Sequence, residues 1–131
     1  MSIRVVRLGT RRARGEGTRL GTVRRPPRGV RKAHFAELDF FDVWLPELAP
    51  SPKLFSWARS AAWTDERWER YAKSYRREME KPAPQRLLAT LAALSQQANF
   101  SVGCYCADET RCHRSVLRQL LLEQGAKIVA R

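Results

Sequence analysis

The end of the chain follows an order of strand, polar loop, helix and strand. The apolar run 100–105 predicts a strand, and the periodic segment 115–124 predicts a helix that stops at Gly125. Residues 126–130 are mostly apolar and predict a closing strand. Because a strand that returns through one helix to the same sheet lies parallel to the first strand, this order constrains the chain to an α/β fold with a mostly parallel sheet.

The first hundred residues continue the alternation of strands and helices. Ser51 and Pro52 mark a helix start, since serine caps a helix and proline suits its first turn. The other predicted elements are strands at 3–8 and 20–24, an apolar patch at 40–45, and helices at 64–80 and 85–97. This pattern indicates an α/β sandwich, in which a ligand crevice lies beyond the carboxyl ends of the strands. The loop after 100–105 occupies that edge.

The size and composition of the chain predict one domain that spans residues 1–131. With 131 residues, 44% of them apolar, and four tryptophans, the chain is long enough for one core and too short for two. No apolar run approaches the roughly 20 residues that cross a bilayer. The N-terminus, Met-Ser-Ile-Arg-Val-Val-Arg, lacks the apolar core of a signal peptide. We therefore expect a cytoplasmic protein with no membrane partner, and its oligomeric state stays open.

The positive charge of the chain is concentrated at its N-terminus. The formal net charge is +12, and residues 1–32 hold ten arginines and one lysine against the single Glu16, a net charge of +10. A basic segment of this kind is a solvated face, a disordered arm or a surface that binds a polyanion. Nucleic acid is the main functional alternative, because neutralising its phosphates releases counterions.

All three cysteines lie in the eleven residues 104–114, together with one of the two histidines. An odd number of clustered cysteines is a poor disulfide framework, so reduced thiols or a metal fit better. Cys104 faces the core along the strand, whereas Cys106 at the strand tip is a candidate reactive thiol. Cys112 is the preferred nucleophile, because a helix start and neighbouring arginines lower a thiol pKa. His113 is either a packing residue or an acid–base partner.

Four arginines next to these elements predict an anion site. Arg111 and Arg114 flank the last cysteine, Arg24 ends the second predicted strand, and Arg28 follows it. A guanidinium near a helix N-terminus suits bidentate recognition of phosphate or carboxylate, and a parallel sheet can deliver both segments to one edge. The alternative is that these arginines are ordinary solvated charges on exposed turns.

Several known kinds of site do not fit the sequence. Four residues separate Cys106 from Arg111 without the glycines of a phosphatase loop, and the chain lacks the dinucleotide glycine pattern. No metal is expected, because the cysteines lack Cys-x-x-Cys spacing and alternate strand residues lie roughly 6.5–7 Å apart. The cofactor and the reaction stay unidentified. The Trp and Tyr side chains at 44, 57, 63, 68, 71 and 75 are expected to be core residues rather than platforms for nucleic-acid bases.

Three segments carry motifs of a known family. Residues 24–29, Arg-Arg-Pro-Pro-Arg-Gly, are similar to an Asp-Arg-Leu-Trp-Pro-Arg-Gly element, and 41–51 follow it as in that family. Residues 68–78 resemble a Phe-x-x-x-Tyr-x-x-Glu helix, and 104–114 resemble a form that carries Cys-His-Arg. Over nearly its whole length the chain resembles the bacterial family of domain of unknown function 488, also called YeaO-like. The resemblance implies a three-layer α/β sandwich of Rossmann-like appearance and carries over no activity.

The chain departs from that family at Val23 and Pro26, where many members have Asp and Trp. From the residues themselves, we predict an anionic or phosphorylated small-molecule ligand in an Arg- and Cys-lined crevice, with thiol catalysis left open. The alternative is a non-catalytic nucleic-acid-binding module that uses residues 1–32. The position of the N-terminal arginines discriminates between them, because a cluster in a crevice favours the first function and a broad convex face favours the second.

Overall fold

The computed structural model describes residues 1–130, and its centre is a four-stranded parallel sheet. The strands are β1 (Ile3–Arg7), β2 (Thr18–Gly21), β3 (Val43–Trp44) and β4 (Phe100–Cys104), in the spatial order β1-β4-β2-β3. Every residue of β4 is buried, and Val102 pairs with Val5 on one side and Leu20 on the other. Its apolar and small residues suit a strand enclosed on both faces. The predicted parallel sheet is thereby confirmed.

Four helices connect and cover these strands. They are α1 (Pro52–Ala58), α2 (Asp65–Met79), α3 (Pro82–Leu94) and α4 (His113–Glu123). Ser51 and Thr64 cap α1 and α2, since their hydroxyls accept backbone N–H groups in the first turn. α3 begins at Pro82 rather than at 85, because proline at the first helical position has no N–H to leave unpaired. The fold is an α/β sandwich of Rossmann-like type, as expected.

The main hydrophobic core joins the sheet to α2, α3 and α4. Val102, Tyr75 and Leu117 are fully buried, and Leu88 is 1% exposed. The hydroxyl of Tyr75 also donates to the carbonyl oxygen of Leu48 at 2.6 Å. Burying side chains of this size contributes about 1.5–3 kcal/mol each. Among residues 1–130, no helix combines the length and the apolar character that crossing a membrane requires.

The aromatic residues follow the core prediction with one clear exception. Tyr71 and Tyr75 are buried, and the tryptophans at 57, 63 and 68 pack against the same core. Trp44 is instead 42% exposed, and its Nε1–H donates to the carbonyl oxygen of Val23 at 2.8 Å. Trp44 is the last residue of β3, and its indole contacts the turn after β2 instead of entering the core.

Two predicted strands differ from the structure by more than one residue. β2 ends at Gly21 rather than at 24, because its neighbour β4 ends at Cys104 and turns into a polar loop. The closing strand predicted at 126–130 is reduced to one parallel bridge between Ile3 and Ile128. Apolar composition favours a strand there, but only this pair lies in register with the edge strand β1.

Part of the N-terminal charge is buried inside the fold. Arg19 in β2 is fully buried, and its Nε donates to Glu16 Oε2 at 2.7 Å. Its Nη1 donates to the carbonyl oxygens of Thr10 and Asp39, both at 2.8 Å. Burial opposes ionisation of Glu16, but hydrogen bonds from Arg19 and Ser101 outweigh it and lower the pKa of Glu16 to about 2. The interpretation of residues 1–32 as a basic surface or arm is therefore wrong for Arg19.

Candidate functional site

β4 and α4 bring the three cysteines together at the carboxyl end of the sheet. β4 ends at Cys104, and the following loop contains a 3₁₀ turn, Glu109–Arg111, before Cys112 caps α4. The Sγ atoms of Cys104 and Cys106 lie 3.7 Å apart, and all three cysteine Sγ atoms lie within 4.8 Å of one another. Cys104 and Cys112 are buried and Cys106 is exposed. We call these three side chains the cysteine cluster.

His113 contacts both the cysteine cluster and the chain beyond β2. Its Nε2 lies 2.7 Å from the carbonyl oxygen of Thr22, and its Nδ1 lies 3.8 Å from the Sγ of Cys112. Because a carbonyl oxygen only accepts hydrogen bonds, Nε2 carries the proton. Burial lowers the pKa of His113 to about 4, so the ring is neutral at pH 7. Its Nδ1 is therefore an unprotonated acceptor beside the Cys112 sulfur.

The three thiols differ in acidity. Hydrogen bonds from Cys104 and Cys106, together with the backbone N–H and charge of Arg114, outweigh burial and lower the pKa of Cys112 to about 3. Hydrogen bonding within the cluster and burial raise the pKa of Cys104. Cys104 lowers the pKa of Cys106, but the contact with Cys112 and partial burial outweigh this and raise it. The contacts within the cluster therefore favour the thiolate form of Cys112 over those of Cys104 and Cys106.

A cavity of about 620 Å³ opens beside the cluster and is lined in part by Cys104, Cys106, Cys112 and His113. Its volume lies within the range of small-molecule sites. None of the described residues that line it is acidic, whereas five are arginines and five are aromatic. These ten residues are Arg24, Arg25, Arg28, Arg59 and Arg111, with Phe40, Phe55, Trp63, Tyr71 and Tyr105. The charge of the walls favours an anion.

Three of the four arginines predicted to form an anion site line this cavity. Arg24 anchors its own loop, because its Nε donates to the carbonyl oxygen of Pro50 at 2.9 Å. Arg28 is exposed on the same loop. Arg111 donates to the carboxylate of Asp65 while it lines the cavity. Two segments that are distant in sequence thus meet at one edge of the sheet.

Arg114 lies behind the cysteine loop and not among the residues that line the cavity. It is 3% exposed, and its Nη2 donates to the carbonyl oxygen of Cys106. Its Nε has no hydrogen-bond partner within residues 1–130. Arg114 shares the buried face of α4 with Leu117 and Leu121, at helical spacing. Its charge therefore lowers the pKa of Cys112 from the buried side of the cysteine loop.

The sequence interpretation misses Arg25 and Arg59. Their guanidinium carbons lie 6.0 Å and 5.2 Å from the centre of the Phe55 ring, within cation–π distance. The pair Arg24-Arg25 is a signal for the first of them. Arg59 follows the end of α1 with no local motif, and its place at the cavity depends on how α1 packs.

The cysteine cluster also offers a donor set for a thiophilic metal. The distance argument against a metal is wrong, because Cys106 lies beyond the end of β4 and extended-strand spacing does not apply to it. Three thiolates with an open fourth position are a known type of zinc ligand set. The expectation of no metal stays a prediction. It now rests only on the absence of Cys-x-x-Cys spacing.

Comparison with protein families gives one match. Residues 3–125 match a family model described as the "Active DUF488-N3 subclade". The matched region runs from the first residue of β1 past the end of α4. It therefore includes the cysteine cluster and residues 24–29, which we call the arginine loop. Neither the curated proteins nor the solved structures compared with this chain gave a match.

Proposed function

The chain belongs to the DUF488 family, in its N3 subclade, and on that premise we propose that it binds an anionic small molecule in the arginine-lined cavity and attacks it with the Sγ of Cys112. The observation that carries this proposal is the position of a low-pKa cysteine on the lining of a cavity with five arginines. Perturbed pKa values in a cleft are typical of functional sites. The description of the subclade as active is in keeping with catalysis.

The proposed reaction has two steps. In the first, the Cys112 thiolate attacks an electrophilic atom of the ligand, and the new bond to Sγ forms as the bond to the leaving group breaks. In the second, water displaces the sulfur, and the Nδ1 of His113 accepts the proton that water loses. The carbonyl of Thr22 holds the Nε2–H and keeps the ring in this orientation.

Cys104 and Cys106 tune the nucleophile rather than attack the ligand. Hydrogen bonding within the cluster favours the anionic form of Cys112, and both Cys104 and Cys106 have raised pKa values. When the Cys112 sulfur forms a bond to the ligand, its charge is lost and these donor contacts weaken. They strengthen again when the thiolate is released, which makes Cys112 a good leaving group in the second step.

Selective alkylation tests the proposal. Iodoacetate carries a carboxylate and iodoacetamide does not. The arginines should therefore make the rate of iodoacetate divided by that of iodoacetamide larger at Cys112 in the folded protein than in the unfolded chain. Arg28→Ala should lower the iodoacetate rate and leave the iodoacetamide rate unchanged, and Arg11→Ala, outside the cavity, should change neither. A rate ratio equal to that of the unfolded chain would remove the argument for an anion site above Cys112.

The nucleic-acid alternative receives less support from the placement of the N-terminal arginines. Arg24, Arg25 and Arg28 lie in the crevice. Arg12 pairs with Asp42 at 2.8 Å, and Arg19 is buried. Five of the eleven basic residues of the segment are thus used by the fold or the cavity, which favours a small ligand, whereas Arg11, Arg14, Arg31 and Lys32 are exposed outside the cavity.

A further inference from the structure

The proposed attack of Cys112 on an anionic ligand assigns no role to the aromatic side chains of the cavity. Four of them come from separate regions of the chain: Phe55 from α1, Trp63 from the α1–α2 connection, Phe40 from the segment before β3, and Tyr105 from just after β4. The fifth, Tyr71 of α2, is only 5% exposed. Aromatic walls bind the faces and edges of planar rings. Inorganic phosphate or a sugar phosphate would leave these walls uncovered, so they indicate a ligand with a planar ring.

Two arginines of the cavity pack against this aromatic surface. Arg59 and Arg25 lie over the Phe55 ring, with guanidinium carbons at 5.2 Å and 6.0 Å from its centre. A guanidinium in this position can stack on a ligand ring and also hydrogen-bond to a phosphate. Ring recognition and charge recognition thus occur on the same wall.

Tyr105 connects this wall to the cysteine cluster. Its ring packs edge-on against Phe40 at 6.2 Å, and its hydroxyl donates to the carbonyl oxygen of Arg25 at 3.0 Å. In sequence it lies between Cys104 and Cys106. The arginine loop, one aromatic surface and the thiols are therefore held in fixed relative positions.

We infer that the ligand is a nucleotide unit, whose base lies against the aromatic wall and whose phosphate contacts the arginines. The inference rests on the proposed function and names its ligand class. A base supplies the planar ring, a phosphate supplies the negative charge, and the cavity of about 620 Å³ carries complementary groups for both. The unit is either a free nucleoside monophosphate or one nucleotide of a single strand, because both present the same base and phosphate.

Calorimetric titration of the wild-type protein tests the inference without any variant. The ligands are the four ribonucleoside monophosphates, thymidine monophosphate, ribose 5-phosphate, inorganic phosphate and a short 5′-phosphorylated oligothymidylate. At least one nucleoside monophosphate should bind about 5- to 150-fold more tightly than ribose 5-phosphate, the contribution of one stacked base. Tighter binding of the oligothymidylate than of thymidine monophosphate assigns the unit to a strand, and the reverse order assigns it to a free nucleotide.

Trp63→Leu removes one ring of the wall and should reduce this preference while ribose 5-phosphate binds as before. Trp44→Leu, an exposed tryptophan outside the cavity lining, is the matched control and should have no effect. Phe55→Leu serves the same purpose if Trp63→Leu fails to fold. If no nucleoside monophosphate binds more tightly than ribose 5-phosphate, the inference is overturned and the anion site stands. If none of the phosphate compounds binds, both the inference and the anion site are overturned.

Discussion

The Nε2–H of His113 donates to the carbonyl oxygen of Thr22 at 2.7 Å, across 91 positions of sequence. This contact joins the chain beyond β2 to the first residue of α4 and leaves Nδ1 3.8 Å from the Cys112 sulfur. In the proposed reaction, the sequence neighbours Cys112 and His113 act as nucleophile and base because this distant carbonyl fixes the ring. The parallel sheet is therefore part of the proposed chemistry as well as its scaffold.

His113 should make the stability of the protein depend on pH. Its folded pKa of about 4 lies below the ordinary value of 6.5, so between these values the unfolded chain binds a proton that the native protein excludes. The contribution of His113 to stability should be complete above pH 6.5 and decline by about 2–3 kcal/mol by pH 4.5. The lowered pKa of Cys112 adds a separate decline in the same direction. In His113→Gln this part of the decline should disappear. Urea unfolding at pH 7 and pH 4.5 measures it, and an unchanged decline in the variant would show that another group is responsible.

Arg28 should contribute directly to anion binding. It is exposed on the arginine loop and lines the cavity. Loss of one charge-assisted hydrogen bond costs about 1.5–3 kcal/mol, so Arg28→Ala should weaken inorganic phosphate binding about 10- to 150-fold. Titration calorimetry measures the change, with Arg11→Ala as the control that should leave affinity unchanged. Equal affinity in wild type and Arg28→Ala would remove Arg28 from the site.

Arg114 should act on the nucleophile instead of the ligand. It is buried behind the cysteine loop, and its charge and backbone N–H favour the Cys112 thiolate. Arg114→Ala should raise the pH at which Cys112 becomes reactive, while Arg28→Ala leaves that pH unchanged. Alkylation of each variant across a pH series, read by mass spectrometry, separates these roles. An identical midpoint in wild type and Arg114→Ala would contradict the assignment.

Purified protein should carry no stoichiometric zinc or iron–sulfur cluster. The cysteines lack Cys-x-x-Cys spacing, although their three sulfurs lie within 4.8 Å of one another. Elemental analysis after anaerobic purification measures the content directly. One metal ion per chain, lost in Cys106→Ser or Cys112→Ser, would make the cluster a metal site.

The order of strands and helices is readable from the sequence because its signals are local. The helix start at Ser51 and Pro52 and the stop at Gly125 depend on neighbouring residues alone, and the structure confirms both. The reduction of 126–130 to one bridge has no such signal, because it depends on register with β1. The family resemblance is confirmed by the match over residues 3–125.

The candidate site is only partly readable from the sequence. Its cysteines are neighbours in sequence, but the meeting of their sulfurs depends on how the chain turns after Cys104. Composition does not distinguish a buried arginine from one that lines a cavity, so the sequence gives no reason to separate Arg19 and Arg114 from Arg28. Burial of a guanidinium is decided by the carbonyls and carboxylates that the folded chain places around it, as Glu16 does for Arg19.

The pH dependence of alkylation at each cysteine tests the central claim, that Cys112 is the thiolate of the site. Wild-type protein is treated with iodoacetamide across a pH series and each cysteine is quantified by mass spectrometry. The reaction midpoint of Cys112 should lie well below the free-thiol value of about 8.5 and that of Cys106 above it, while Cys104 reacts slowly until the protein unfolds. Midpoints near 8.5 at both Cys112 and Cys106 would contradict the account.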